Sequence, residues 1–145
     1  MSPKYRWVSA ALTAGTIYLL IGVGFPNPSS SSNAQFYWRL AAWLMSSVVF
    51  ASHIVYEHVR LRNVARTTAI HVSLAVAFGA FALSIAANFH GLRVATAQHQ
   101  LLLLSMIIWP VITAVPAFLV SFACAAILAR IRAKHKNSID RAIPG

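Results

Sequence analysis

Glu57 is the only carboxylate before residue 140 in a chain of 145 residues. His53 stands four residues before it and Arg60 three after, a spacing that puts all three on one face if the segment is helical. Ionisable side chains in or near a membrane usually pair with one another or do chemical work. One reading is therefore a proton or metal site built from His53 and Glu57, joined by His71 if the next helix returns at the same depth. The plainer reading is an ion pair from Glu57 to Arg60 or Arg62 that holds a helix end at the headgroup layer.

His53 and His71 suggest a second kind of chemistry. Two antiparallel helices joined by a short turn would bring both imidazoles to one depth, the arrangement a bis-histidine haem b requires. The alternative is that each imidazole bonds a carbonyl or hydroxyl across the helix contact, with Thr67, Thr68 and Ser73 available. His90 and His99 flank a later polar segment, where they read as solvated loop residues or as an external pH-responsive pair. Thr13, Ser46, Ser84 and Asn88 are the polar side chains that could line a path for a small transporter or channel. No carboxylate lies in the first, third or fourth apolar block, so the embedded acid of a proton-exchanging exporter is missing. There is no Ser-His-Asp set, phosphate-binding loop, zincin helix or cysteine pair.

The elements that must position these residues follow from composition. With 59% hydrophobic and 10% charged residues, the chain has too little polar surface for a water-soluble domain of its size. Its apolar residues fall into blocks of about 20, each long enough to cross a hydrocarbon core of about 30 Å. The spacing predicts an all-α, four-helix transmembrane bundle in one domain, with spans at about 8–25, 36–56, 67–87 and 105–129. Between the second and third spans, residues 57–66 form a basic turn, and residues 130–145 form a basic tail. Residues 26–35, with two prolines and four serines, read as a loop. The basic start, first apolar block and Ser32-Asn33-Ala34 also resemble the three regions of a signal peptide.

The third block is rich in small residues. Ala75 to Gly79 and Ala80 to Ser84 are small-xxx-small steps that let backbones approach closely, which makes this the expected central helix. Ala117, Ser121, Ala125 and Ala129 repeat every fourth position in the last block as a second such stripe. That block is too long for one perpendicular crossing, and Pro110 and Pro116 offer the place for a kink. Cys124 reads as a small hydrophobe.

A net charge of +10 would suggest nucleic acid in a soluble chain, but here the cations sort by loop. With the N-terminus inside, Lys4, Arg6, Arg60, Arg62, Arg66, Arg130, Arg132, Lys134, Lys136 and Arg141 are cytoplasmic, and only Arg39 and Arg93 face out. That bias predicts both termini inside a bacterial inner (plasma) membrane, with no nucleic-acid partner. Arg60, Arg62, Arg66, Arg130, Arg132 and Lys134 would meet anionic lipid headgroups, at about 1 kcal/mol per cation. Because the small-residue stripes outweigh the ionisable chemistry, the leading functional expectation is action by helix association. The chain would be a subunit or accessory of a membrane complex, or a homo-oligomer. A haem or metal protein and an oligomeric transporter are the alternatives.

Overall fold

The computed structural model describes residues 5–24, 32–93 and 99–142. The expectations for Lys4, and for the side chains of His90, Arg93, His99, Lys136, Asp140 and Arg141, fall outside the described set. The described chain is all-helical: α1 (Arg6–Gly24), α2 (Ser32–Val55), a π-helical turn (Tyr56–Arg60), α3 (Ala65–Arg93) and α4 (His99–Ala142). All four helices are long and apolar enough to cross a membrane. Each expected span falls on one of them.

The boundaries differ where polar residues had suggested loops. Ser32, Asn33 and Ala34 open α2 instead of ending a loop. Much of the expected external segment at 88–100 is helical, since α3 runs on to Arg93 and α4 begins at His99. Helical continuation satisfies backbone N–H and C=O groups at no further cost, so polar side chains alone do not end a helix. α4 continues unbroken for 44 residues with Pro110 and Pro116 inside it, about 66 Å at 1.5 Å per residue.

α3 is the hub, as its small residues predict. On one side it meets α1 through Ala11, Ala14 and Ala75, with Tyr18 and Val49 packed around them. A Cβ on Gly79 would lie 2.8 Å from Tyr18 Cβ and 3.1 Å from the Gly15 carbonyl oxygen, and one on Gly15 would overlap the Phe78 ring. Only glycine permits that approach. On its other side α3 makes its most extensive interface, with α4. Ser84 Oγ donates to the Ala80 carbonyl at 2.9 Å and reaches the Ser105 carbonyl on α4 at 3.5 Å. Ala117, Ser121 and Ala125 form the buried side of α4. The stripe stops there, because Ala129 is exposed.

The small-residue stripes therefore face inward and pack the bundle itself. α2 is held far more loosely. Trp43, Leu44 and Val48 are exposed, and cavities flank α2 on two sides.

Candidate functional site

The corner between α2 and α3 is built by a change of helical period. At Tyr56–Arg60 the α-helix widens into a π turn, closed by Leu61 N–H donating to the Tyr56 carbonyl at 3.2 Å. The chain then reverses through Arg62, whose φ of 54° lies in the left-handed region. Asn63 N–H returns to the Glu57 carbonyl at 3.3 Å. This resembles the closing bond of a Schellman motif, with one extra residue in the ring. A non-glycine residue at positive φ costs about 1–2 kcal/mol, so the bonds around the corner hold a strained position.

The widened turn decides which side chains meet. Glu57 is completely buried, and its partner is neither Arg60 nor Arg62. Both arginines are exposed, so the expected ion pair is not formed; the π turn shifts the phase that would have kept Arg60 on the Glu57 face. Instead, Glu57 Oε2 accepts from Asn63 Nδ2 at 2.5 Å and lies 3.0 Å from His71 Nδ1. Trp7, in the first turn of α1, stacks on the His71 ring at 4.2 Å between centroids and 10° between planes. One carboxylate oxygen thus ties α2, the turn and α3 together, and Trp7 adds α1.

The other oxygen is different. Glu57 Oε1 lies 3.7 Å from His53 Nε2, an ion-pair separation but too long for a hydrogen bond. Oε1 and both His53 nitrogens are buried without a hydrogen-bond partner. His53, 5% exposed, lines a cavity of about 640 Å³ between α1 and α2, together with Arg6, Ser9, Ser52 and Tyr56. The carboxylate is structural on one side and uncommitted on the other.

The structure brings together His53, Glu57 and His71, as expected, but not as metal ligands. Among the described residues no group of three His, Cys, Asp or Glu side chains is placed to hold a metal ion. The Glu57 carboxylate lies against both imidazoles, 3.7 Å from His53 Nε2 and 3.0 Å from His71 Nδ1. The expected hydroxyl partners are engaged elsewhere or not at all. Ser73 Oγ donates to the Ile70 carbonyl, and Thr68 is buried with its hydroxyl unpartnered. The proposed transport lining is dispersed: Thr13 faces the α1/α2 cavity, Ser46 a second cavity of about 540 Å³, and Ser84 the α3/α4 interface. Arg66, Arg130, Arg132 and Lys134 are exposed along with Arg60 and Arg62.

Three site residues escaped the sequence reading: Asn63, Trp7 and Arg6. A polar residue just past a helix end is the available signal for Asn63, because that position commonly returns a bond to the last turn. Trp7 and Arg6 could have been found by depth, since an antiparallel hairpin sets the start of α1 beside the end of α2. Compared with known proteins, the chain matches no family model, no curated protein and no solved structure.

Proposed function

We propose that this chain is a multi-pass protein of a bacterial inner (plasma) membrane, with both termini cytoplasmic. It works there as a bilayer-embedded binding protein, its site the cavity beside His53 and Glu57. Four helices of sufficient length and apolarity support the membrane reading, and the cation bias supports the orientation. α4 would bend at Pro110 and Pro116 to fit its length to the bilayer, because each proline removes one helical hydrogen bond. Impermeant thiol labelling of whole cells tests the topology in a Cys124→Ala background. Asn33→Cys should react and Lys134→Cys should not; the reverse pattern would overturn it.

The observation that carries the binding reading is the divided carboxylate. Buried polar atoms are nearly always satisfied, yet both nitrogens of His53, which stands in front of Glu57 on the cavity wall, lack hydrogen-bond partners. A bound molecule with a polar head would satisfy them. Native mass spectrometry of protein in nanodiscs made from membrane lipid extract should find a stoichiometric adduct on the wild type. Ser52→Trp, which fills the cavity from a residue on its wall, should lose it. Equal adducts on both would refute the reading.

Association with a membrane partner or with further copies is the second reading. It now rests on α2, whose apolar side chains are the least engaged by the rest of the bundle. Trp43→Cys should then form a cross-linked dimer in membranes, whereas Ile107→Cys on α4 should not. Monomer at both positions would remove the homo-oligomer.

A further inference from the structure

The α1/α2 cavity is graded in polarity along its length. Arg6 and Ser9 on α1 stand at one end with Ser52 and His53 on α2 and Tyr56 at the start of the π turn, while Ile17 and Val48 line it farther along. From Arg6 to Ile17 the helix rises about 16 Å at 1.5 Å per residue. A site of about 640 Å³ lies within the roughly 300–1,000 Å³ range of small-molecule pockets. Shape and polarity together call for a molecule with a compact polar head and one extended apolar tail.

Charge decides the head. Among the described residues, Arg6 is the one permanently charged side chain on the cavity wall, and no carboxylate lines it. Glu57 stands behind His53, fully buried, with Oε1 3.7 Å from Nε2. A carboxylate behind an imidazole orients the ring and favours a proton on the nitrogen facing it. His53 Nδ1 has no hydrogen-bond partner and is left to meet a polar atom of a molecule in the cavity. Arg6 supplies donors from the opposite helix. A cationic head would meet Arg6 at close range, whereas an anionic one would form charge-assisted hydrogen bonds with its guanidinium.

Resting on the reading of this cavity as a binding site, we propose that its ligand is a single-chain amphiphile with an anionic oxygen head, a carboxylate or a phosphate. The head sits between Arg6 and His53, and the tail runs along Ile17 and Val48.

The test is a native mass spectrometry titration of the full chain in zwitterionic nanodiscs with four probes of one tail length: dodecanoate, dodecyl phosphate, dodecanol and dodecyltrimethylammonium. Both anions should bind once per chain and about tenfold or more tighter than dodecanol, the scale of one or two charge-assisted hydrogen bonds. Arg6→Gln and His53→Gln should each reduce that preference severalfold and leave dodecanol binding unchanged. Should one variant fail to fold, as judged by thermal melting, the other still decides. A tenfold preference between the two anions would identify the head and support the proposal. Dodecanol binding as tightly as the anions, dodecyltrimethylammonium binding tightest, or an anion preference that survives both substitutions would overturn the anionic assignment while leaving a binding cavity. Inorganic phosphate competing as strongly as dodecyl phosphate would overturn the amphiphile. No binding by any probe would sink the binding reading itself.

Discussion

Gly79→Ala offers the sharpest test of how the bundle is packed. In an ordinary helix interior this substitution stabilises by about 0.5–1 kcal/mol, because glycine loses more backbone entropy on ordering. Here the added Cβ would lie 2.8 Å from Tyr18 Cβ and 3.1 Å from the Gly15 carbonyl. Neither atom can rotate away, since one is fixed to the α1 backbone and the other belongs to it. Carbon atoms prefer separations of about 3.5–4.0 Å, so α1 and α3 must part by about 1 Å. A gap of that size forfeits about a quarter to a half of each dispersion contact, each worth about 0.1–0.2 kcal/mol. If the Ala11, Ala14 and Ala75 seam holds on the order of 40 such pairs at about 0.15 kcal/mol each, the loss is about 1.5–3 kcal/mol. Less the helix-propensity gain of about 0.5–1 kcal/mol, the net destabilisation is about 0.5–2.5 kcal/mol.

Thermal unfolding in detergent, followed by circular dichroism, reads that difference. Gly24→Ala is the matched control, because a Cβ there meets nothing within 4 Å. Gly22→Ala is intermediate, its contacts at 3.0 Å being the mobile end of Leu83. The expected order of melting temperature is Gly24→Ala, Gly22→Ala, Gly79→Ala, with only the last clearly below wild type. A Gly79→Ala protein as stable as Gly24→Ala would refute the α1–α3 contact.

The corner yields three more predictions. Glu57→Leu should destabilise by about 2–4 kcal/mol, because Asn63 and His71 each lose a partner worth about 1–3 kcal/mol; Glu57→Gln, which keeps an acceptor, should cost clearly less in the same melting experiment. Arg62→Gly should raise stability by about 0.5–1 kcal/mol by relieving a left-handed residue, whereas Arg62→Val should lower it, and equal melting of the two would disprove the strain. A double-mutant cycle between Trp7→Ala and His71→Ala should return a coupling of about 0.5–1.5 kcal/mol for the stacked rings; strict additivity would mean that they do not touch.

Much of the architecture was legible because in this chain solvent and composition speak together. Four apolar blocks separated by loops and basic turns leave little freedom in helix number, and the small residues of α3 mark it as central before any contact is seen. The meeting of Glu57 with His53 and His71 was legible for a similar reason, being set by an i, i+4 step and by antiparallel return. What the residues did not reveal was the local period. A π turn has no sequence signature at this site, yet it alone turns Arg60 away from Glu57 and brings Asn63 back onto it. Periodicity arguments assume 3.6 residues per turn and fail wherever one residue is added. The two small-residue stripes illustrate a different limit. Spacing shows that a helix face can be approached closely, but not whether the neighbour belongs to the same chain.

That last point reshapes where function can reside. α1, α3 and α4 are locked by glycine, alanine and serine contacts, whereas α2 packs against them more sparsely and is tied by hydrogen bonds of the Glu57 corner at one end. The cavities of about 640 and 540 Å³ both lie against α2, along the seam where the least protein packing would be lost. A molecule entering there leaves the α1–α3 and α3–α4 interfaces intact. The corner then has two distinct energetic roles. Asn63, His71 and Trp7 fix the end of α2 against the bundle through Glu57 Oε2 and the stacked ring, and His53, in front of Oε1, is left to the cavity. If so, substitutions at Asn63 and His71 should move stability and leave ligand selectivity intact, while His53 substitutions should do the opposite. A His53 variant that unfolds as readily as an Asn63 variant would show that the two oxygens are not divided in this way.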